Sequence, residues 1–299
     1  MKTPRRWPAL AVFGLFMISG IATLLIVRPS PTSGSAPLDG GSLAPRRTNA
    51  DATPPAIPFD ATTPRLVVRA MNSIPHDTSA FTQGLLFHGR KLLESTGLEG
   101  RSEIREVDAV TGIVRRRIPL NAAHFGEGIA VVGGRLYQLT WQSGRGFVYD
   151  ASSLAPLDSF AFTGEGWGLT SDGAVLYISD GTDRIRVISA PDLQPIRSVN
   201  VTEAGHPVWM LNELEWVRGE LWANVYQTDL IARIDPHTGA IRGWIDLSGL
   251  HSIEALRELG ARGAVANGIA VDTTHRRVLV TGKLWPWMYE FAVPSTLVP

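Results

Sequence analysis

The chain has 299 residues, no cysteine, and 28 basic side chains against 28 acidic ones. The absence of cysteine excludes disulfides, thiolate metal sites, a cysteine nucleophile and a lipid-anchor cysteine. Neutral charge argues against a nucleic-acid binder, and 44% hydrophobic residues are too many for a chain disordered throughout. Of the cations, 25 are arginine and only three are lysine (Lys2, Lys91, Lys283), so a retained lysine is more than usually informative.

Lys2, Arg5 and Arg6 precede residues 9–27, a run of nineteen without a charge. That run is long enough to cross a bilayer as a helix. It ends at Val27-Arg28-Pro29, a poor cleavage site, so the sequence predicts a transmembrane anchor over residues 1–28. A cleaved signal peptide is the alternative. The cations before the run place the N-terminus in the cytoplasm and the rest outside, in a periplasmic or extracellular location. Cleavage would make the protein secreted. Residues 29–64 carry eight prolines among Ser, Thr, Ala and Gly, which predicts a disordered linker that adds nothing to the core. The folded domain is expected over 65–299.

That remainder repeats itself. Gln83-Gly84-Leu85, Glu127-Gly128-Ile129, Trp167-Gly168-Leu169, Asn212-Glu213-Leu214 and Asn267-Gly268-Ile269 begin successive units, spaced 44, 40, 45 and 55 residues apart. Each opens an apolar strand, followed by a second one at 92–96, 136–141, 175–180, 221–225 and 278–281. Turns of the type Asp108-Ala109-Val110-Thr111-Gly112 and Asp235-Pro236-His237-Thr238-Gly239 then link a third strand to a fourth. Four strands per period of 40–45 residues is the pattern of a propeller blade. Five periods predict an all-β, five-bladed β-propeller. A β-sandwich would not require the same residues at each period. Residues 252–259 read as a helix inserted in the longest period. The last repeat is one strand short, and residues 66–68 are expected to supply it and close the ring.

The first strand of each blade lines the propeller axis. Gln83, Glu127, Trp167, Asn212 and Asn267 are equivalent positions and should converge on one mouth. The strand next outward offers Glu94, Trp141, Asp180, Tyr226 and Lys283. Polar groups framed by tryptophan make a pocket. His76 and His124 are candidates for its border. Trp209, Trp216, Trp222 and Trp244 are expected to pack between blades. No zinc-helix, serine-elbow or phosphate-loop motif is present.

At these residues the sequence resembles the plant and bacterial type of glutaminyl-peptide cyclotransferase, the family of the papaya-latex enzyme. The carrying stretches include Phe81-Thr82-Gln83-Gly84-Leu85, Phe125-Gly126-Glu127-Gly128-Ile129, Gly164-Glu165-Gly166-Trp167-Gly168, Leu211-Asn212-Glu213-Leu214 and Thr281-Gly282-Lys283. The resemblance covers about 72–291 in one order and implies a five-bladed propeller that closes N-terminal glutamine to pyroglutamate. It carries pocket residues over to Phe81, Gln83, Glu127, Trp141, Trp167, Asn212 and Lys283. Tyr226 departs from the tryptophan of the plant enzymes, which implies a looser or more polar wall there.

The implied reaction is attack by the α-amine on the side-chain amide, with loss of ammonia. The nucleophile is tethered, so the enzyme must fold the side chain into attack geometry and exclude water. Glu127 is the expected proton shuttle. Lys283 and Asn212 are expected to polarise the amide oxygen. Phe81, Gln83, Trp141, Trp167, Tyr226 and Asn267 are expected to bind the peptide. No metal or other cofactor is required for catalysis, and room is left for a structural divalent cation. Two other readings stand beside this one. In a lactonase-like hydrolase, Glu127, Asn212 and Asn267 would hold a divalent metal that activates water. In a surface-tethered binding propeller, there would be no turnover.

Overall fold

The computed structural model describes residues 56–292 apart from 191 and 262. Two strands come first, β1 (Arg65–Val67) and β2 (Ala70–Pro75). The first blade is β3 (Thr82–His88), β4 (Lys91–Thr96), β5 (Glu103–Val107) and β6 (Val114–Pro119). The second is β7 (Gly126–Val132), β8 (Arg135–Thr140), β9 (Arg145–Asp150) and β10 (Pro156–Ala161). The third is β11 (Leu169–Ser171), β12 (Val175–Ile178), β13 (Arg184–Ser189) and β14 (Pro195–Asn200), followed by a small hairpin of β15 (Thr202–Glu203) and β16 (His206–Pro207). The fourth is β17 (Leu211–Val217), β18 (Glu220–Val225), β19 (Leu230–Ile234) and β20 (Ile241–Asp246). Helix α1 (Ile253–Ala261) precedes the fifth blade of β21 (Ala266–Asp272), β22 (Arg277–Gly282) and β23 (Trp287–Phe291).

The inner strands β3, β7, β11, β17 and β21 lie side by side in that order, and β21 returns to β3, closing a ring of five blades. The repeated Leu or Ile of each unit is its anchor: Leu85, Ile129, Leu169, Leu214 and Ile269 are all buried. Every residue of β21 is buried, whereas β6 and β10 at the rim are mostly exposed. The hydrophobic driving force is therefore concentrated on the inner strands.

The recurring turns use one device. Asp108 Oδ1 accepts the amides of Val110 (3.0 Å) and Thr111 (2.9 Å), and Asp235 Oδ1 accepts those of His237 (2.8 Å) and Thr238 (3.0 Å). Gly112 and Gly239 follow at φ +72° and +77°, where a side chain would be strained. The inserted helix starts on Ser252, whose Oγ accepts the amide of Ala255 at 3.2 Å. Its Leu259 joins the core between the fourth and fifth blades.

Ring closure differs from expectation. The fifth blade takes its outer strand from β2, antiparallel to β23, and not from residues 66–68. Strand β1 instead adds parallel to β20, as a fifth strand of the fourth blade. Arg65 pairs there with Asp246 at 2.8 Å. The N-terminal segment thus clasps two blades in succession. Which blade each part joins depends on partners about 180 residues away for β1 and more than 200 for β2, and local β-propensity carries no such information.

The linker also ends earlier than expected. Ile57 packs on the core shared by the third and fourth blades, and Phe59 meets Trp244 edge-to-face at 5.4 Å. The Pro64 carbonyl accepts the Trp244 amide at 2.8 Å. The anchor expected over 1–28 and the linker up to residue 55 lie outside the described residues. Among the described residues, no helix is long and apolar enough to cross a membrane. Of the tryptophans expected between blades, Trp222 and Trp244 are fully buried and Trp216 stacks on Tyr177, but Trp209 is 40% exposed.

These contacts predict an ordered series of truncations. A chain beginning at residue 69 should fold with a lowered melting temperature, because it loses β1 and the cover over Trp244 but keeps β2. A chain beginning at residue 76 should not give a cooperative melt, because the fifth blade loses its outer strand. Equal melting temperatures for the two would refute closure by β2.

Candidate active site

Each functional side chain is aimed by a local irregularity. The ladders of four inner strands slip between Thr82 and Gly84, Gly126 and Ile129, Leu211 and Leu214, and Ala266 and Ile269. Gln83, Glu127, Asn212 and Asn267 sit inside these slips. Such bulges re-aim a side chain without ending the strand. The neighbouring glycines allow the blades to close up. A Cβ on Gly128 would lie 2.4 Å from the Leu169 nitrogen, and one on Gly168 would lie 2.0 Å from the Asn212 oxygen. The fourth blade has Glu213 in place of that glycine. Its carboxylate crosses the axis to accept the amides of Leu85 (3.3 Å) and Ile269 (3.0 Å).

Serines in or just after the second strands fix the ring backbone of the following blade. Ser95 Oγ donates to the Glu127 carbonyl and Ser179 Oγ to that of Asn212, both at 2.6 Å. Glu127 and Asn212 thus stand on buried backbone tied to the neighbouring blade.

The strand ends enclose a cavity of about 180 Å³, lined by Phe81, Gln83, Phe125, Glu127, Trp141, Trp167, Asn212, Tyr226 and Lys283. Its wall is aromatic and continuous. Phe81 meets Phe125 at 6.0 Å, Phe125 meets Trp141 at 5.6 Å, and Trp167 meets Tyr226 at 5.7 Å, all edge-on. Lys283 Nζ lies 4.8 Å from the Phe81 ring centre and 5.1 Å from that of Tyr226, so the ammonium is caged between two π-faces.

Glu127 and Lys283 are both buried in this wall. Burial pushes the Glu127 carboxyl well above the usual carboxylate range; Lys283 opposes this and Glu165 adds to it. Burial lowers the Lys283 ammonium to about 8, against the pull of Glu127. Gln83 Nε2 donates to Glu127 Oε1 at 3.2 Å. Asn212 presents a buried Oδ1 with no hydrogen-bond partner among the described residues. A buried acceptor left open in a cavity suits a ligand N–H.

The ring positions therefore do not all meet in the cavity. Asn267, expected to contact substrate, lies behind Gln83. Its Nδ2 donates to the Thr82 carbonyl (2.9 Å) and to Gln83 Oε1 (3.1 Å), which orients the Gln83 amide toward Glu127. Glu94 and Asp180 of the second ring are also elsewhere. Glu94 accepts from Thr82 (2.7 Å), His76 (2.9 Å) and Arg105 (3.5 Å), and Asp180 accepts from Thr182. His76 is consumed by that network, and His124 bonds Ser143 at 3.0 Å, so neither lines the cavity. Phe125 was not singled out from the sequence, although it stands two residues before Glu127 in a recognised stretch.

A family model described as glutamine cyclotransferase matches residues 43–293. The chain belongs to the glutamine cyclotransferase family. A curated glutaminyl-peptide cyclotransferase of Arabidopsis thaliana is 43% identical over 226 residues, covering 75% of this chain and 70% of that protein. The crystal structure of Myxococcus xanthus glutaminyl cyclase superposes with a TM-score of 0.69 at 34% identity. It covers 77% of this chain, and 97% of that structure is matched. The five-bladed fold is thus shared with a solved glutaminyl cyclase. The sequence resemblance points to the same family, and the repeat count agrees with its five-bladed fold.

Proposed function

We infer that this chain is a glutaminyl-peptide cyclotransferase: it converts the N-terminal glutamine of peptides or proteins to pyroglutamate and releases ammonia. One observation carries the reading. In a member of this family, a buried carboxyl and a buried ammonium face one small aromatic-walled cavity.

The α-amine nitrogen attacks the side-chain amide carbon, and the bond to the amide nitrogen breaks. Glu127 takes a proton from the attacking amine and returns one to the departing nitrogen. Its raised proton affinity makes it a better acceptor for the amine proton than an ordinary carboxylate. Lys283 faces the developing charge on the amide oxygen, where a donor in a water-poor site is most effective. The open Asn212 Oδ1 accepts a substrate N–H, which shifts its expected role from donor to acceptor. Gln83, set by Asn267, steadies Glu127. Trp141 and Trp167 hold the aliphatic stem of the glutamine in attack geometry. Tyr226 keeps the wall closed on the Lys283 side.

The hydrolase reading is not favoured. It needs Asn267 beside Glu127 and Asn212, and Asn267 does not line their cavity, its Nδ2 being bonded to the Thr82 carbonyl and Gln83 behind it. The binding-only reading leaves the family membership unexplained. We also propose that residues 1–28 anchor the protein with the propeller outside the cytoplasm, on the strength of the uncharged run and its flanking cations. Carbonate-resistant membrane association would support that, and full release would oppose it.

The test is to incubate the full chain with a Gln-Xaa peptide and measure ammonia and the loss of the free amine. Both should appear in equal amounts. Cyclisation should persist after thorough chelation, since the proposed steps use only side chains. Activity lost with chelator and restored by a divalent ion, at constant melting temperature, would require a catalytic metal instead.

A further inference from the structure

The aromatic wall has one junction unlike the others. Around the cavity each wall group touches the next through a ring contact, from Lys283 to Phe81, Phe125 and Trp141, and from Trp167 through Tyr226 back to Lys283. Trp141 and Trp167 are instead joined by a carboxylate. Glu165 Oε2 accepts both indole N–H groups, at 3.0 Å from Trp141 and 2.9 Å from Trp167. Its backbone is held from both sides. Arg186 Nη2 donates to the Glu165 carbonyl, and the next amide, Gly166, donates to the Trp141 carbonyl at 3.0 Å. The glycines around it are fitted to this arrangement. A Cβ on Gly181 would stand 2.7 Å from the Trp167 ring, and one on Gly166 would stand 3.0 Å from the Thr140 carbonyl.

An indole has one polar atom, and its bonded partner fixes the rotation of the whole ring. Two indoles tied to a single oxygen cannot turn independently. We propose that Glu165 is a positioning residue: by bonding both indoles through one oxygen it presets the Trp141–Trp167 slot for the stem of the N-terminal glutamine. The inference rests on the cyclotransferase reading. Preset walls reduce the ordering cost of binding, so the effect should appear mainly in KM. The negative charge of Glu165 also acts on Glu127, opposite in sign to that of Lys283. Its charge therefore has a consequence separate from its hydrogen bonds. Removing a nearby negative charge makes Glu127 easier to ionise.

Two variants of the full chain separate these parts. Glu165→Gln keeps an oxygen able to accept both N–H groups and removes the charge. Glu165→Ala removes both. With a Gln-Xaa peptide, Glu165→Ala should raise KM about 10-fold or more while kcat falls less than about 3-fold. Glu165→Gln should restore KM to within about 3-fold, and the acid limb of its kcat profile should move to lower pH. Wild-type KM in Glu165→Ala would overturn the proposal, as would a KM in Glu165→Gln as high as in Glu165→Ala. If Glu165→Ala fails to fold, Glu165→Leu, which keeps the volume but offers the indoles no acceptor, takes its place, and a KM like that of Glu165→Gln would overturn the proposal. Absence of turnover in the wild-type chain would instead refute the cyclotransferase reading.

Discussion

Glu127→Gln is expected to lower kcat by roughly 100-fold or more while leaving peptide binding within a few-fold of wild type. The substitution keeps the volume and leaves an oxygen to accept the Gln83 N–H, now at 3.2 Å from the carboxylate. The bulge between Gly126 and Ile129 and the Ser95 bond to the Glu127 carbonyl are backbone features that it does not touch. Only the capacity to take and return a proton is removed. The melting temperature should not fall, because a buried carboxyl whose ionisation is opposed by burial is being replaced by a neutral amide. The measurement is single-turnover cyclisation beside peptide binding by calorimetry. Turnover near that of the wild type would remove Glu127 from the proton path.

Lys283→Arg is expected to lose most of the rate although the charge is kept. The ammonium sits between the faces of Phe81 and Tyr226 in a cavity of about 180 Å³. A compact point donor fits there, and a planar guanidinium is larger and demands a fork of acceptors. Losing one donor to a developing oxyanion costs about 2.7–4 kcal/mol, or roughly 100- to 1000-fold in kcat. Lys283→Met should lower turnover further and be tolerated in the melt, since it leaves apolar bulk and no buried charge.

The pH dependence follows from the same burial. The folded-state ammonium is lowered to about 8, so it is charged below that pH and loses its proton above it. The wild-type kcat should therefore fall as pH rises through about 8. Arginine does not titrate in this range, so the residual activity of Lys283→Arg should lack that limb. Full activity in Lys283→Arg would pass the polarising role to another wall group.

The propeller was legible because each blade encodes itself locally. The ring residue, the glycine beside it in four of the five units and the buried Leu85, Ile129, Leu169, Leu214 or Ile269 recur at the spacing of a repeated four-stranded unit. The wall was legible for the same reason, since equivalent positions on inner strands must surround one axis. Lys283 stood out by its residue type in a chain that otherwise chooses arginine.

Tertiary structure decided what equivalence could not. Asn212 and Asn267 occupy the same place in their repeats. The first lines the cavity, while the second lies outside it, its Nδ2 bonded to Thr82 and Gln83, about 185 positions away in the chain. Closure by β2 rather than by residues 66–68, and the joint hold of Glu165 on Trp141 and Trp167, were likewise out of reach of the sequence. The physical reason is common to all three. Period and polarity specify which face a side chain takes within its own blade. Its hydrogen-bond partner, and the desolvation that moves the proton affinities of Glu127 and Lys283, come from neighbouring blades that meet only when the ring closes.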